Sequence, residues 1–354
     1  MSKSNRLQLD FIDGLRAVAA LYIVVHHSLQ AADYFPTSLY FMARGHDVVT
    51  IFIAISGFCL TLPLAQRGNW SIQASQFYRR RAVRILPPYY AAIAVGLLFA
   101  AVYSYKSYLQ DYGGAPITLT LLMSHLFLVQ NWIPDQRFTL DGPLWSIAVE
   151  CQIYLLFPLL LWLWRRGGKR LLLAVSFVVA HAVFYAAHHV GSANYLFIFT
   201  LGMLGAELAF SESSGKWLGI TFLSSAMAYV ISIRIARTPV QISDILVGLS
   251  TVLLMAYLTR NREHWGNKVL GWKPFAWVGT FSYSLYLVHS FVLSVVRRWF
   301  LGSDGGHLRS GKMAVLMVFV AGPLAVASSY GFHMLFERPF ISRNRQRVEH
   351  RLAS

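Results

Sequence analysis

The chain has 354 residues, of which 56% are hydrophobic and only 13% are charged, and its mean hydropathy is +0.49. Soluble globular domains contain about 25% charged residues, so this composition excludes a soluble protein and indicates an integral membrane protein. In a membrane protein, a net charge of +16 is first a signal that sets the orientation of the spans and attracts the chain to lipid surfaces. Because there is no soluble basic region, the charge does not indicate nucleic-acid binding.

Ten hydrophobic runs are long enough to cross a bilayer, and an eleventh is ambiguous. The ten candidate spans are 14–32, 46–65, 87–106, 143–164, 170–190, 194–211, 217–235, 240–259, 275–299 and 312–335. Counting the ambiguous run, 116–133, as a crossing would reverse the side of every later basic loop. The positive-inside rule therefore predicts an outer-side re-entrant or interfacial segment at 116–133, with both termini in the cytoplasm.

The chain contains no internal repeat, long soluble insertion or low-complexity tract. This predicts one all-α, polytopic helical bundle over 1–354, with its core at 10–340. The basic N-terminus is interpreted as leading into an uncleaved first span, because acidic residues interrupt the pattern of a signal peptide. Cys59 and Cys151 have no metal-ligand spacing and are interpreted as core residues, so no metal is expected.

The first span carries an arginine, Arg16, and a histidine, His27, with ten residues between them. Eleven helical steps return to within about 20° of the starting direction, so both side chains lie on one face, roughly 16 Å apart along the axis. Ionisable residues in a span usually face a protein interior or a wet cavity. The pair therefore indicates a polar path through the span, whereas His26 is interpreted as a packing or surface residue.

Glu150 and His289 are predicted to lie at the depth of His27, counting about 1.5 Å per residue along each span. A carboxylate beside a histidine fixes the imidazole tautomer, and the imidazole then removes a proton from a hydroxyl. This favours a site for acyl or phosphoryl transfer in which Glu150 assists His27. The alternative is a set of structural interhelical hydrogen bonds. For His289, which shares its face with Ser282 and Tyr286, a structural seam and a site are equally compatible.

A basic cluster, FYRRRAVRILPPYY at 77–90, precedes the third span on the inner side. Its arginines can hold phosphates through bidentate contacts, and Tyr78 is available to stack on a base. The alternative is a topology signal that contacts anionic lipid headgroups. Pro87 and Pro88 are interpreted as the start of the next helix.

The segment FIAISGFCL at 52–60 interrupts an apolar span with Ser56 and Gly57. Small residues permit close approach of two helices, and this packing interpretation is favoured. Ser56 is a weak candidate nucleophile, because no base is adjacent in the sequence.

Six segments in this order resemble the acyltransferase-3 family of integral membrane acyltransferases, which modify bacterial cell-surface and exported polysaccharides. They are LDFIDGLRAVAALYIVVHHS, IFIAISGF, RRRAVRILPPYY, LWSIAVECQIYLLFPLL, VGTFSYSLYLVHS and FERPF. The resemblance implies that Arg16 and His27 form the family's arginine-x10-histidine pattern, which is tied to activity, and it leaves His26 aside.

The same resemblance maps the family's R-x-x-R element to Arg81 and Arg84. It maps the W-S-x-x-x-E element to Trp145, Ser146 and Glu150. The family takes a cytoplasmic acyl-CoA, most often acetyl-CoA, as a co-substrate, and it commonly acylates a sugar hydroxyl across the membrane. No permanently bound cofactor is implied.

The resulting hypothesis is an O-acetyltransferase of the bacterial inner membrane. Arg80, Arg81 and Arg84, with Tyr78, would dock the CoA phosphates, and Arg16 would orient the donor or stabilise charge on the thioester oxygen. Neutral His27, assisted by Glu150, would deprotonate the acceptor hydroxyl or carry the acyl group, so activity is expected to fall at low pH.

The acceptor would be a polysaccharide, a lipid-linked oligosaccharide or another glycan. A homo-oligomer or polysaccharide-assembly partners are compatible with this hypothesis. Some family members carry an extracytoplasmic SGNH hydrolase-like domain, whereas this chain ends soon after its last span, so we expect it to act alone or to pass the acyl group to a separate partner. The alternative function is a proton-coupled secondary transporter, in which the buried arginine, histidine and glutamate form a relay.

Overall fold

The structure is a computed structural model that describes residues 9–36, 41–102, 117–186, 194–211, 215–235, 238–301 and 311–341. Within these ranges the regular secondary structure is helical throughout, as the composition predicts. The helices are α1 (Asp10–Ala31), α2 (Gly45–Arg67), α3 (Ala74–Val102), α4 (Leu119–Leu126), α5 (Leu144–Ala186), α6 (Tyr195–Leu208), α7 (Gly215–Arg234), α8 (Val240–Arg260), α9 (Trp265–Leu270), α10 (Lys273–Thr280), α11 (Ser282–Leu301) and α12 (Gly311–Ile341). Two π-helical turns, Met317–Ala321 and His333–Glu337, lie within α12.

Among the described residues, six helices are long and apolar enough to cross a membrane: α2, α3, α5, α7, α8 and α12. The number rises to seven if α10 and α11, which bend by 76° at their junction, form one span. These helices make the protein a multi-pass membrane protein. Helix α1, which carries two aspartates and an arginine near its start, is outside the six, and α6 has only 14 residues. The count of ten spans and the side of the termini stay predictions.

Helix α5 joins two of the predicted spans, 143–164 and 170–190. A straight helix of its 43 residues would be about 65 Å long at 1.5 Å per residue, roughly twice the hydrocarbon core of a bilayer. The helix breaks at Gly168, whose φ of 69° and ψ of −177° lie outside the helical region and suit glycine. The break therefore lies between the two predicted spans; residues 187–190 are outside the described ranges.

Pro87 and Pro88 lie inside α3, so the prediction that they start a helix is wrong. Proline removes the hydrogen bond to the carbonyl four residues earlier, but a membrane helix tolerates this where neighbouring helices supply partners and packing. Pro87 and Pro88 free the carbonyls of Val83 and Arg84. The following Tyr89 is fully buried, and Tyr283 of α11 donates to the adjacent carbonyl of Ile85 at 3.1 Å, so neighbouring helices pack against α3 at this point. The basic cluster and the apolar run are consequently one continuous helix.

The segment predicted to be re-entrant or interfacial folds from residue 117 onward as the eight-residue α4 and two 3-10 turns, Gln130–Trp132 and Pro134–Gln136. A helix as short as α4 extends only about 12 Å, so this segment does not cross a bilayer as one helix. It is bonded to its neighbours: Tyr89 donates to the carbonyl of His125 at 3.0 Å, and Gln152 donates to that of Leu128 at 2.8 Å.

Helices α2 and α6 approach until their backbones touch. A Cβ atom added at Gly57 would lie 2.1 Å from the carbonyl oxygen of Phe199, and one added at Gly202 would lie 2.4 Å from that of Ala54. Both distances are far below van der Waals contact, so only glycine fits at either position. This confirms the packing interpretation of Gly57, and it fixes the height of the neighbouring Ser56.

Candidate active site

Two cavities lie one above the other along α1. One cavity, of about 180 Å³, is lined by Arg16, and the other, of about 750 Å³, is lined by His27. They are called the inner and the outer cavity after the predicted topology, in which the N-terminus of α1 is cytoplasmic. Val49 and Tyr286 line both cavities, so the two cavities adjoin at these side chains. Arg16 and His27, on one face of α1, thus line two adjoining cavities. This is the arrangement that a polar path along α1 requires.

The inner cavity carries an excess of positive charge. Arg16, Arg81 and Arg84 line it together with one carboxylate, Glu150. Arg16 is also paired with Asp13 at 3.0 Å. The guanidinium of Arg81 lies over the ring of Tyr154, 5.9 Å from its centroid, and within the described part of the chain its buried Nε has no hydrogen-bond partner. An anion can therefore be held at this wall.

Glu150 belongs to the inner cavity and contacts side chains other than His27. Its Oε1 accepts a hydrogen bond from Ser56 Oγ at 2.5 Å and a short one from the hydroxyl of Tyr154. The expected pairing of Glu150 with His27 is therefore wrong in this structure. The depth count gives only the height of a residue, and the partner also depends on which helices are neighbours. Ser56 is a weak candidate nucleophile by sequence because no base is adjacent to it, but in the structure the carboxylate of Glu150 lies beside it.

His27 is paired with His289 instead. Nδ1 of His27 lies 2.7 Å from Nε2 of His289, and the two rings are parallel, with an interplanar angle of 3°. Nδ1 of His289 lies 2.9 Å from the carbonyl oxygen of Leu285, which can only accept, so this nitrogen carries the proton. In the neutral pair Nε2 of His289 is then an acceptor, and Nδ1 of His27 donates to it. Nε2 of His27 is left with a free lone pair.

The face shared by Ser282, Tyr286 and His289 runs past both cavities. Ser282 lines the inner cavity, Tyr286 lines both, and His289 contacts His27 in the outer one. The hydroxyl of Tyr286 lies 2.7 Å from Ser146 Oγ, whose own proton is directed to the carbonyl of Pro143 at 3.0 Å. Tyr286 is therefore the donor in this bond, which ties α11 to α5 where the cavities adjoin.

Two residues predicted to bind the donor lie elsewhere. Tyr78 donates to the carbonyl of Leu155 at 2.8 Å, and Arg80 donates to the side chain of Gln76 at 2.9 Å. Neither is among the side chains that line the inner cavity. Of the basic cluster, the structure thus brings Arg81 and Arg84 to the cavity.

Sequence reasoning missed several residues that line the cavities. Tyr154 follows Glu150 by four residues, so helical spacing alone would have placed it on the same face. Arg137 and Trp145 form one wall of the outer cavity, where the guanidinium lies 4.2 Å from the indole centroid. Trp145 was a candidate, but Arg137 lies in an irregular segment whose shape no periodicity reveals.

An ion network forms another wall of the outer cavity. Nε2 of His46 lies 2.9 Å from Asp47 and 3.5 Å from Asp244, and the ligand atoms of these three residues lie within 4.8 Å of one another. They could hold a metal ion by distance alone. However, Arg44 already contacts both oxygens of Asp47, at 2.7 and 3.2 Å, and Tyr229 donates to the same carboxylate. Because Arg44 already supplies a positive charge to Asp47, a structural ion network is favoured over a metal site here.

Comparison with known proteins identifies the family. The family model described as "Acyltransferase domain", for acyltransferase family 3, matches residues 9–334. The peptidoglycan O-acetyltransferase OatA of Listeria monocytogenes is 25% identical over 324 residues, which cover 81% of this chain and 50% of that protein. The O-acetyltransferase OatA of Staphylococcus aureus is 28% identical over 174 residues, covering 48% of this chain and 27% of that protein.

A third relative matches along almost its whole length. The acyltransferase MdmB of Streptomyces mycarofaciens is 24% identical over 364 residues, covering 94% of this chain and 92% of that protein. The chain spans about half the length of the Listeria relative or less than a third of the staphylococcal one. No solved structure matches it. With a family match over nearly all of its residues and a fold that places the arginines and His27 along two adjoining cavities, the chain belongs to the acyltransferase-3 family of membrane proteins.

Proposed function

We propose that the chain is an O-acetyltransferase, which moves an acetyl group from acetyl-CoA in the inner cavity to a hydroxyl of a glycan in the outer cavity. The lone pair that His289 leaves on Nε2 of His27 carries this proposal, because it puts a base in the cavity large enough for a sugar. The names of the two OatA relatives, both O-acetyltransferases, support the same chemistry.

The inner cavity suits the thioester arm of the donor. Its volume of about 180 Å³ is below that of pockets that enclose a drug-sized ligand, roughly 300 Å³ and more, so the nucleotide would stay outside its mouth. Arg81 and Arg84 would bind phosphate oxygens, and Arg16 would stabilise charge that develops on the thioester oxygen. Glu150, held by Ser56 and Tyr154, would act here as the counter-charge of these arginines.

The reaction needs one proton acceptor on the acceptor side. The glycan oxygen attacks the acetyl carbonyl carbon, and its proton passes to Nε2 of His27. The C–S bond then breaks and CoA leaves as a thiolate. The thiolate takes up a proton from solvent and His27 releases the proton that it gained, so that the ester and the free CoA thiol are the products and the neutral base is restored. His289 accepts the hydrogen bond from Nδ1 of His27 throughout and keeps the ring in position.

Replacing His27 by alanine tests the proposal. With the full-length protein in nanodiscs, acetyl-CoA and a peptidoglycan or oligosaccharide acceptor, we expect the rate of CoA release to fall by roughly 10²- to 10⁴-fold, the usual contribution of a general base. Labelled acetyl should appear on the glycan with the wild-type protein.

His181→Ala is the matched control, because the hydrogen bond of His181 among the described residues goes to the carbonyl of Phe177 one turn earlier, and His181 lines neither cavity. It should retain full activity and fold as the wild type does. Substantial turnover by His27→Ala would refute the role of His27. Proton-coupled solute uptake by the wild-type protein, without any consumption of acetyl-CoA, would favour the transporter instead.

A further inference from the structure

One wall of the outer cavity carries a guanidinium for which the described residues supply no counter-ion. Arg137 is held between two rings, with its central carbon 4.2 Å from the centroid of Trp145 and 4.9 Å from that of Phe138. Its Nε is buried and, among the residues that the structure describes, has no hydrogen-bond acceptor. No ion pair to Arg137 occurs within the same part of the chain.

Arg137 is half-buried, and its buried Nε is costly to leave without a hydrogen-bond acceptor. Buried charges in proteins are normally paired, and the guanidinium stays protonated under all ordinary conditions. Contact with two aromatic faces recovers only about 1–2 kcal/mol. It also fixes the plane of the guanidinium, so that the N–H donors along its edge stay available. The arrangement is therefore that of a binding group awaiting an acceptor of hydrogen bonds.

The segment that carries Arg137 is rigidly held. His125 Nε2 bonds to the carbonyl of Thr139 at 3.2 Å, and Gln130 donates to the carbonyl of Leu144 at the same distance. The buried Asp141 accepts a short bond from Ser290 of α11, itself a lining residue of the outer cavity. The guanidinium is thus fixed in the same cavity as His27 before any ligand arrives.

The charge of the cavity favours an anion at this wall. Two arginines, Arg137 and Arg297, line it against one aspartate, Asp244, which already lies 3.5 Å from His46. Arg297 donates from its Nε to the carbonyl of Ala31 at 2.9 Å. An acceptor that carries a negative charge would pair with Arg137, whereas a neutral acceptor would offer the N–H donors of Arg137 only uncharged partners.

We propose that Arg137 binds an anionic group of the acceptor, a carboxylate or a phosphate, and that the acceptor class is therefore an anionic glycan. This inference rests on the proposed function, because it takes the ligand to be the acyl acceptor. Binding of the anion to Arg137 does not itself require acyl transfer. The same guanidinium chemistry could hold the phosphate of a lipid headgroup, so the experiment must separate the glycan from the lipid.

Binding of two matched disaccharides tests the proposal without acetyl-CoA. Cellobiouronic acid carries a carboxylate where cellobiose carries a hydroxymethyl group. Titrated against the full-length protein in phosphatidylcholine nanodiscs and followed by tryptophan fluorescence, the uronate should bind the wild type about tenfold or more tightly than the neutral sugar.

Variants of Arg137 then test whether this residue causes the preference for the uronate. Arg137→Gln should bind both disaccharides alike, and Arg137→Lys, which keeps the charge but loses the planar fork, should retain part of the preference. Arg234→Gln is the control: Arg234 is exposed at the end of α7, at the same end of the bundle, and lines neither cavity. It should behave as the wild type does. Equal binding of both sugars by the wild type, or an unchanged preference in Arg137→Gln, would overturn the inference.

A second arm identifies the source of the anion. Native mass spectrometry of the wild type and Arg137→Gln, released from nanodiscs that contain phosphatidylglycerol, should show the same number of retained lipids. Loss of one phosphatidylglycerol in the variant, with unchanged disaccharide binding, would assign Arg137 to the lipid. If the wild type releases no CoA with any acceptor, the proposed function fails, and the disaccharide comparison still decides the role of Arg137.

Discussion

His27 is oriented by another imidazole rather than by a carboxylate. A neutral histidine pair brings no net charge into the bundle, whereas a buried carboxylate needs several donors or a counter-charge. The carbonyl of Leu285 fixes the tautomer of His289, and His289 in turn fixes that of His27. The direction of both rings is thus set by the backbone of α11.

This chain of bonds predicts different outcomes for two substitutions of His289. In His289→Gln the amide oxygen can still accept from Nδ1 of His27, whereas in His289→Leu no acceptor remains. We expect the leucine variant to lose roughly ten- to a hundredfold in the rate of CoA release, less than loss of the base itself, and the glutamine variant to recover much of it.

The ring nitrogens of His27 provide a second readout for these variants. The ¹⁵N chemical shifts should report protonated Nδ1 in the wild type and in His289→Gln, and a mixture of tautomers in His289→Leu. Wild-type rates in His289→Leu, or identical ¹⁵N shifts in all three proteins, would contradict the orienting role.

Helical periodicity was sufficient to predict that Arg16 and His27 share one face, because both residues lie on one uninterrupted helix. It could not predict their partners. Ser56 and Glu150 are 94 residues apart, and His27 and His289 are 262 apart. Such contacts depend on which helices are neighbours, and a single sequence with similar apolar runs does not specify this.

At the scale of the helices, the contact of α2 with α6 holds the wall that carries Ser56. Gly57→Ala would place a methyl group 2.1 Å from the carbonyl oxygen of Phe199. Because backbone cannot yield as a flexible side chain does, we expect a loss of about 1–3 kcal/mol in stability. Thermal unfolding in nanodiscs measures it as a lowered midpoint.

Gly331→Ala is the control for this substitution. Gly331 lies in α12, and an added Cβ there meets nothing within 4 Å. Alanine also favours a helix over glycine by up to about 1 kcal/mol, so the midpoint should stay or rise. A midpoint for Gly57→Ala that equals this control would contradict the close contact of α2 and α6.

The positions of the helices could be predicted better than their ends and bends. Glycine at 167 and 168, next to a cluster of basic residues, separates two apolar runs, and α5 breaks at Gly168. By contrast, the single run 275–299 contains the 76° bend between α10 and α11. Hydropathy records only the apolar length and does not reveal the bend. The bend lies where α10 packs against α1, and α11 packs against α1 and α12.

At the scale of the whole molecule, the proposed transfer requires passage of the acyl group between the two cavities. Val49 and Tyr286 are the side chains that line both, and each is 6% exposed. Val49→Phe should narrow the junction, so that acetyl-CoA still binds while CoA release with acceptor falls at least about tenfold. Equilibrium binding of acetyl-CoA and steady-state rates measure the two steps separately.

Tyr286→Phe keeps the ring but removes the bond to Ser146, so it should lower the rate less than Val49→Phe does. If Val49→Phe retained the wild-type rate, the acyl group would have to follow another route. If it also lost acetyl-CoA binding, the junction would belong to the donor site itself.

The narrow contact at Val49 and Tyr286 also has an electrical consequence. Moving one elementary charge across a membrane potential involves about 2.3 kcal/mol per 100 mV, whereas an acetyl group is neutral and passes without electrical work. A hydrated ion or a chain of waters would have to part the valine from a tyrosine that is hydrogen-bonded to Ser146. With this junction closed around the acyl group, the proposed transfer would join chemistry on two faces of a membrane and still leave the ion gradients across it intact.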